Sequence, residues 1–196
     1  MKDHPFSFQV TLADEPLSAY DNRIQRRLSN MRGIFSDSAA FEALIQAEDR
    51  LMYEVYEIKR PEVAGELPNG LTVLYPGLVG EEFFMTKGHF HKVLETGEWY
   101  YGLRGEGVMV METPEGDWAV EPLRPNGVVY VPPRWAHRTV NTRLDANLVF
   151  YWVYPGDAGH DYGTIETQGF RKLVVQRGGQ PVVIDNPRWL NPEKRT

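Results

Sequence analysis

Apolar and polar residues alternate differently in three stretches of the chain. Residues 1 to about 35 are polar and mixed, with little periodicity and with Arg23, Arg26 and Arg27 clustered, a grouping that reads as a solvated face. Ser36-Asp37-Ser38 then supplies an N-cap candidate ahead of Phe41, Leu44 and Ile45, an i, i+3, i+4 stripe that predicts a helix to about Arg50. Leu51 to Ile58 is rich in strand formers (Tyr53, Val55, Tyr56), and Pro61 and the Asn69-Gly70 turn pair interrupt the chain after it.

From there on, short aromatic and valine-rich runs alternate with Gly and Pro turns. The runs are Leu71–Tyr75, Glu82–Val93, Glu98–Leu103, Gly107–Glu112, Trp118–Glu121, Gly127–Val131, Arg138–Thr142, Leu148–Tyr154 and Lys172–Gln176. Many strands at close spacing with little helix between them indicate an all-β antiparallel sandwich or barrel. The stretch from Pro181 to Thr196, with three prolines and Trp189, reads as a docked arm.

Composition narrows the function classes. With 196 residues and 42% hydrophobic content, the chain suffices for one sizeable core. A net charge of −6 disfavours nucleic acid as a partner, because that footprint is a basic field. The sequence lacks the roughly 18 unbroken apolar residues of a membrane span, and Met1-Lys2-Asp3-His4-Pro5 does not resemble the start of a secretory signal, so a cytoplasmic protein is expected. With no cysteine, any metal must be held by nitrogen and oxygen.

The chemistry gathers in Gly88-His89-Phe90-His91, followed by Glu98 and much later by His137. Side chains two apart on a strand share a face with backbones about 6.6 Å apart, so His89 and His91 can converge on one ion. On a helix they would diverge, which favours a strand. Two acids compete as a further ligand. Glu95 lies in Leu94-Glu95-Thr96-Gly97, which reads as a turn, whereas Glu98 opens the run Glu98-Trp99-Tyr100 and shares a face with Tyr100. Glu98 is the candidate.

These residues, together with Pro132-Pro133-Arg134-Trp135-Ala136-His137 and Asn141, resemble the two cupin motifs, G-x5-H-x-H-x3,4-E-x6-G and G-x5-P-x-G-x2-H-x3-N. Arg134 stands where the second motif usually has Gly, and Gly127 is one place off. The six-residue gap between His91 and Glu98 points to one branch. Tyr75-Pro76-Gly77, Met85-Thr86-Lys87-Gly88-His89-Phe90-His91 and Gly159-His160-Asp161-Tyr162-Gly163-Thr164-Ile165 resemble the cupin-type glucose-6-phosphate isomerases of archaea and some bacteria, over roughly residues 30 to 177.

That resemblance implies a jelly-roll barrel at residues 51–178, a 1–50 extension with one helix packed on it, and a 179–196 arm. It implies one divalent metal ion per subunit on His89, His91, Glu98 and His137, iron(II) first, with zinc, manganese or nickel compatible. Phosphate is then held by Thr72, Thr86, Gly88, Tyr154 and Tyr162, with Tyr100 and His160 beside the sugar and Glu98, His160 and Tyr100 as the catalytic candidates. Strict alternation would put Thr86 and Gly88 on the face opposite the histidines, so a bulge at Lys87-Gly88 is expected. Arg134 also replaces a tyrosine frequent in this branch, which removes one expected substrate contact.

The implied reaction interconverts glucose 6-phosphate and fructose 6-phosphate, in a homodimer whose sugar-phosphate substrate is its small-molecule partner. Bland readings stay beside these. An isolated H-x-H is often two solvated histidines, Tyr154 and Tyr162 can be ordinary sheet tyrosines with wet hydroxyls, Thr72 and Thr86 are good strand formers, and His160 can be a loop residue. Two other functions fit the same ligand set: a metal-dependent oxygenase and a non-catalytic sugar-phosphate-binding cupin.

Overall fold

The computed structural model describes residues 4–11 and 17–189. The Asp37 carboxylate accepts a hydrogen bond from the Ala40 N–H (2.9 Å) and caps α1 (Ser38–Ala47), which buries Phe41 against Phe35 with ring centroids 5.7 Å apart. The helix stops short of Arg50. Glu48 is already extended, because the chain must straighten to enter β2 (Leu51–Ile58).

The polar stretch before it holds β1 (Asn22–Arg27), an edge strand paired antiparallel with β2. Pattern reading finds no element there, because Ile24 is the one apolar residue in the strand and no stripe develops. Next come β3 (Asn69–Leu74), β4 (Leu78–Val79), β5 (Glu82–Phe83), β6 (Phe90–His91), β7 (Glu98–Arg104), β8 (Gly107–Glu112) and β9 (Trp118–Leu123). They are followed by β10 (Val128–Val131), β11 (Ala136–Asn141), β12 (Leu148–Val153) and β13 (His160–Asp161). After the short helix α2 (Gly163–Gln168), the hairpin of β14 (Lys172–Arg177) and β15 (Gln180–Asp185) turns at Gly178-Gly179, both at positive φ. Part of the expected C-terminal arm is therefore a strand; its residues 190–196 lie outside the described residues.

One sheet runs β1-β2-β3-β12-β7-β10, a second β11-β8-β9, a third β15-β14-β5-β4, and β13 pairs with β6. Side chains from these sheets meet in one core that includes Met52, Phe83, Phe84, Met109, Phe150 and Phe170. This is the all-β jelly-roll barrel expected; of the residues before 51, β1 belongs to the six-stranded sheet and α1 precedes β2. A smaller apolar layer of Leu17, Tyr56, Ile58, Leu71, Val73 and Val149 forms a second cluster separate from that core. None of the helices in the described residues is long and apolar enough to cross a membrane.

Candidate active site

The run predicted as one strand over Glu82–Val93 is broken between β5 and β6. Met85 bridges Val140 and His89 bridges His137, so four steps along this segment oppose three along β11. One extra residue has been accommodated, which is a β-bulge, and Gly88 at φ +79° supplies the left-handed conformation it needs. As a result Thr86 and His89 line the same cavity despite their odd spacing. Gly88 also permits a close approach: a Cβ there would lie 2.6 Å from the Phe170 ring and 2.9 Å from the Arg138 Cβ.

The second half of the site is built on β11, which the Asn141 side chain anchors by donating to the carbonyls of Leu74 (3.0 Å) and Ala146 (2.9 Å). His137 on this strand exchanges backbone hydrogen bonds with His89, at 3.1 and 3.3 Å. Two imidazoles far apart in sequence are thus neighbours by sheet pairing. On β7, alternation turns Glu98 and Tyr100 inward and leaves Trp99 41% exposed.

One ligand atom each from His89, His91, Glu98 and His137 falls within 4.8 Å of all the others. Glu98 Oε2 is 3.1 Å from His91 Nε2 and 2.9 Å from His137 Nε2. The second of these is a close approach without hydrogen-bond alignment, and the buried His89 Nε2 has no hydrogen-bond partner at all. The far sides of two rings are fixed: His91 Nδ1 faces the Thr96 carbonyl (3.1 Å) and hydroxyl (2.9 Å), and His137 Nδ1 the Trp135 carbonyl (3.3 Å). A proton on Nδ1 leaves the Nε2 lone pair aimed at the common centre, the arrangement that a metal-binding histidine requires. The donor set fits a divalent ion.

Glu95, the competing acid, lies on the surface beside Arg134, which also pairs with Glu115 at 2.6 Å. Arg134 has φ +74°, the left-handed region where the cupin motif has its glycine, and it does not line the cavity.

Charge in the centre is strongly organised. Burial alone would raise the Glu98 pKa, but the histidines outweigh it and hold the carboxyl far below its usual range. For His91 burial opposes the charge, and the Glu98 carboxylate more than offsets it, so its pKa is raised. His89 is pushed well below its usual value by burial, with His137 and His160 adding to the effect. Burial also lowers His160, whose ring centroid is 4.4 Å from that of His89 and 5.0 Å from that of Tyr154.

These groups line a cleft of about 130 Å³ that is open at its mouth. Thr72, Thr86, Gly88, Tyr100, Tyr154, His160 and Tyr162 all face it; His91 reaches the cluster from behind. Thr72 Oγ1 accepts from Trp152 Nε1 (3.1 Å) and Thr86 Oγ1 from the Thr139 N–H (3.0 Å), which leaves both hydroxyl protons free to donate. Tyr100 is buried against Glu98, which together with burial raises its pKa well above the usual phenol value; burial raises Tyr162 to about 12. Both phenols therefore stay protonated donors near neutral pH. Sequence reasoning missed Arg26, Tyr53 and Glu57, which complete the wall from β1 and β2. The alternation of β1 could have found Arg26, had the strand been recognised.

A jelly-roll barrel with three histidines and a glutamate gathered on inward strand faces is the architecture of the cupin class, and this chain has it. The family model for Glucose-6-phosphate isomerase (GPI) matches residues 25–189. A glucose-6-phosphate isomerase of Thermococcus gammatolerans is 53% identical over 185 residues, covering 94% of this chain and 96% of that protein. That of Pyrococcus furiosus is 52% identical, covering 96% and 99%. This chain belongs to the glucose-6-phosphate isomerase family. Similarity to a solved oxalate decarboxylase from Bacillus subtilis is distant, at 22% identity and TM-score 0.43 over 56% of this chain and 26% of that one.

Proposed function

We propose that this protein is an aldose–ketose isomerase that interconverts glucose 6-phosphate and fructose 6-phosphate with one divalent ion held by His89, His91, Glu98 and His137. Family membership supports the reaction. The observation that carries the metal is the buried His89 Nε2, which has no partner and lies within 4.8 Å of ligand atoms on His91, Glu98 and His137, since such an atom is costly unless something accepts its lone pair. When bound, the ion supplies Lewis-acid stabilisation of negative charge on the sugar oxygens. Iron(II) is the ion we favour, and zinc, manganese or nickel would suit the same three nitrogens and one oxygen.

Thr72, Thr86, the Gly88 backbone, Tyr154 and Tyr162, which line one cavity, offer donors to a phosphate. His160, kept neutral by burial and adjacent to Tyr154, is suited to move a proton during ring opening. Glu98, sharing its face with Tyr100, is then the base that shuttles a proton between the second and first carbons once substrate loosens its contacts with the histidines. A hydride shift is the second reading, favoured by the low proton affinity of Glu98. Deuterium placed on the second carbon separates them: exchange with solvent supports Glu98 as base, and full retention in the product supports the hydride route.

The reading includes a cytoplasmic homodimer, for which exposed Val128 and Tyr130 on the edge strand β10 offer a pairing surface. The decisive experiment is anaerobic conversion of glucose 6-phosphate. Activity abolished by a chelator and restored by a divalent metal supports the proposal; oxygen uptake without isomerisation would replace it with an oxygenase, and phosphosugar binding without turnover with a sensor.

A further inference from the structure

The phosphate-facing residues named so far are all neutral, yet the substrate of the proposed reaction is a dianion and the protein carries a net charge of −6. A global field of that sign gives such a ligand no attraction, so a local cation must supply it. Among the described residues the cavity wall holds one lysine and one arginine, Lys87 and Arg26. Lys87 is engaged by the Glu166 carboxylate on α2.

Arg26 is different. Alternation along β1 turns Asn22, Ile24 and Arg26 toward the cavity side and Arg23, Gln25 and Arg27 outward. Arg23 is bound to the buried Glu54 (2.5 and 3.0 Å), and Arg27 donates to the Asp49 carbonyl (2.8 Å). Arg26, half-buried, forms no carboxylate pair in the described residues. It meets the Tyr53 phenol, its cross-strand neighbour, which the Lys87 N–H also faces. This places the guanidinium at the bulge, next to Thr86 and Gly88. Glu57 lies at the opposite end of the same ladder, paired with Asn22, four residues or about 13 Å along β1. The cleft is thus polar along its length, cationic at the bulge and anionic at the other lip.

We propose that Arg26 is the residue that makes this site specific for a phosphorylated sugar, pairing with the phosphoryl dianion at the bulge and thereby fixing which end of the substrate points away from Glu57. The inference rests on the isomerase reading and adds to it an orienting charge. An arginine suits the role, because its planar fork can donate two parallel hydrogen bonds to a phosphate while remaining charged at any working pH.

The test compares wild type with Arg26→Gln and Arg26→Lys. In Arg26→Gln, KM for glucose 6-phosphate should rise about 10- to 100-fold while kcat stays within about threefold, and inorganic phosphate should weaken in parallel as a competitive inhibitor. Arg26→Lys should recover part of the loss. Calorimetric titration with inorganic phosphate, on protein whose melting temperature and metal content match wild type, reads the same contact without turnover. If wild type proves inactive, the reaction assignment fails while this titration still judges Arg26. Phosphate affinity unchanged in Arg26→Gln, or a fall in kcat with KM unchanged, would overturn the proposal.

Discussion

Glu54 shows at the residue scale how a carboxylate 3% exposed can be stable away from any catalytic centre. It accepts hydrogen bonds from Arg23, Gln25, Tyr56 and Tyr75 at 2.5 to 3.3 Å. Burial works to raise its pKa, and the donors Gln25, Tyr75 and Arg23 outweigh that and lower it below the ordinary 4.5. A lowered folded-state pKa contributes stability that is fully present above 4.5 and is lost as pH falls through the folded value. Glu54→Gln should therefore cost roughly 1–3 kcal/mol at neutral pH, with the gap to wild type closing below about pH 4.5; urea titrations at several pH values measure it. Arg23 was read as part of a solvated cluster because nothing local to Arg23, Arg26 and Arg27 reveals that the first binds Glu54 and the second faces a cavity. Partners on another strand decide both.

Among elements, the bulge before β6 brings Thr86 and His89 onto one cavity wall. A β-carbon at Gly88 meets both a strained backbone and the Phe170 ring, so Gly88→Ala should destabilise the fold by about 2 kcal/mol or more and raise KM through a displaced Thr86. Thermal melts and steady-state kinetics together check it; a variant as stable and as active as wild type would refute this account of the bulge. The H-x-H spacing was legible because alternation on a strand is local. So was the need for a bulge, since Thr86 and His89 sit at odd separation. The juxtaposition of His89 with His137 was not derivable from spacing, because it depends on which strands pair; motif resemblance supplied it. α2 escaped notice because six residues, Gly163–Gln168, are too few to display a helical stripe, and β15 because Pro181 and its exposed side chains mask a strand.

For the whole molecule, the candidate ligands join segments that belong to different parts of the barrel, so a bound ion should stabilise the native state in proportion to its occupancy. The metal-loaded protein should melt several degrees above the chelated one, by scanning calorimetry, with the difference growing as free metal rises. The fold itself holds the two halves of the cluster together. His89 and His137 are joined by reciprocal main-chain hydrogen bonds, and Glu98 lies between two of the rings. Because strand pairing sets that spacing, the proposed site should take different divalent ions with little change of backbone, and preparations grown in media of different trace-element content should contain different occupants.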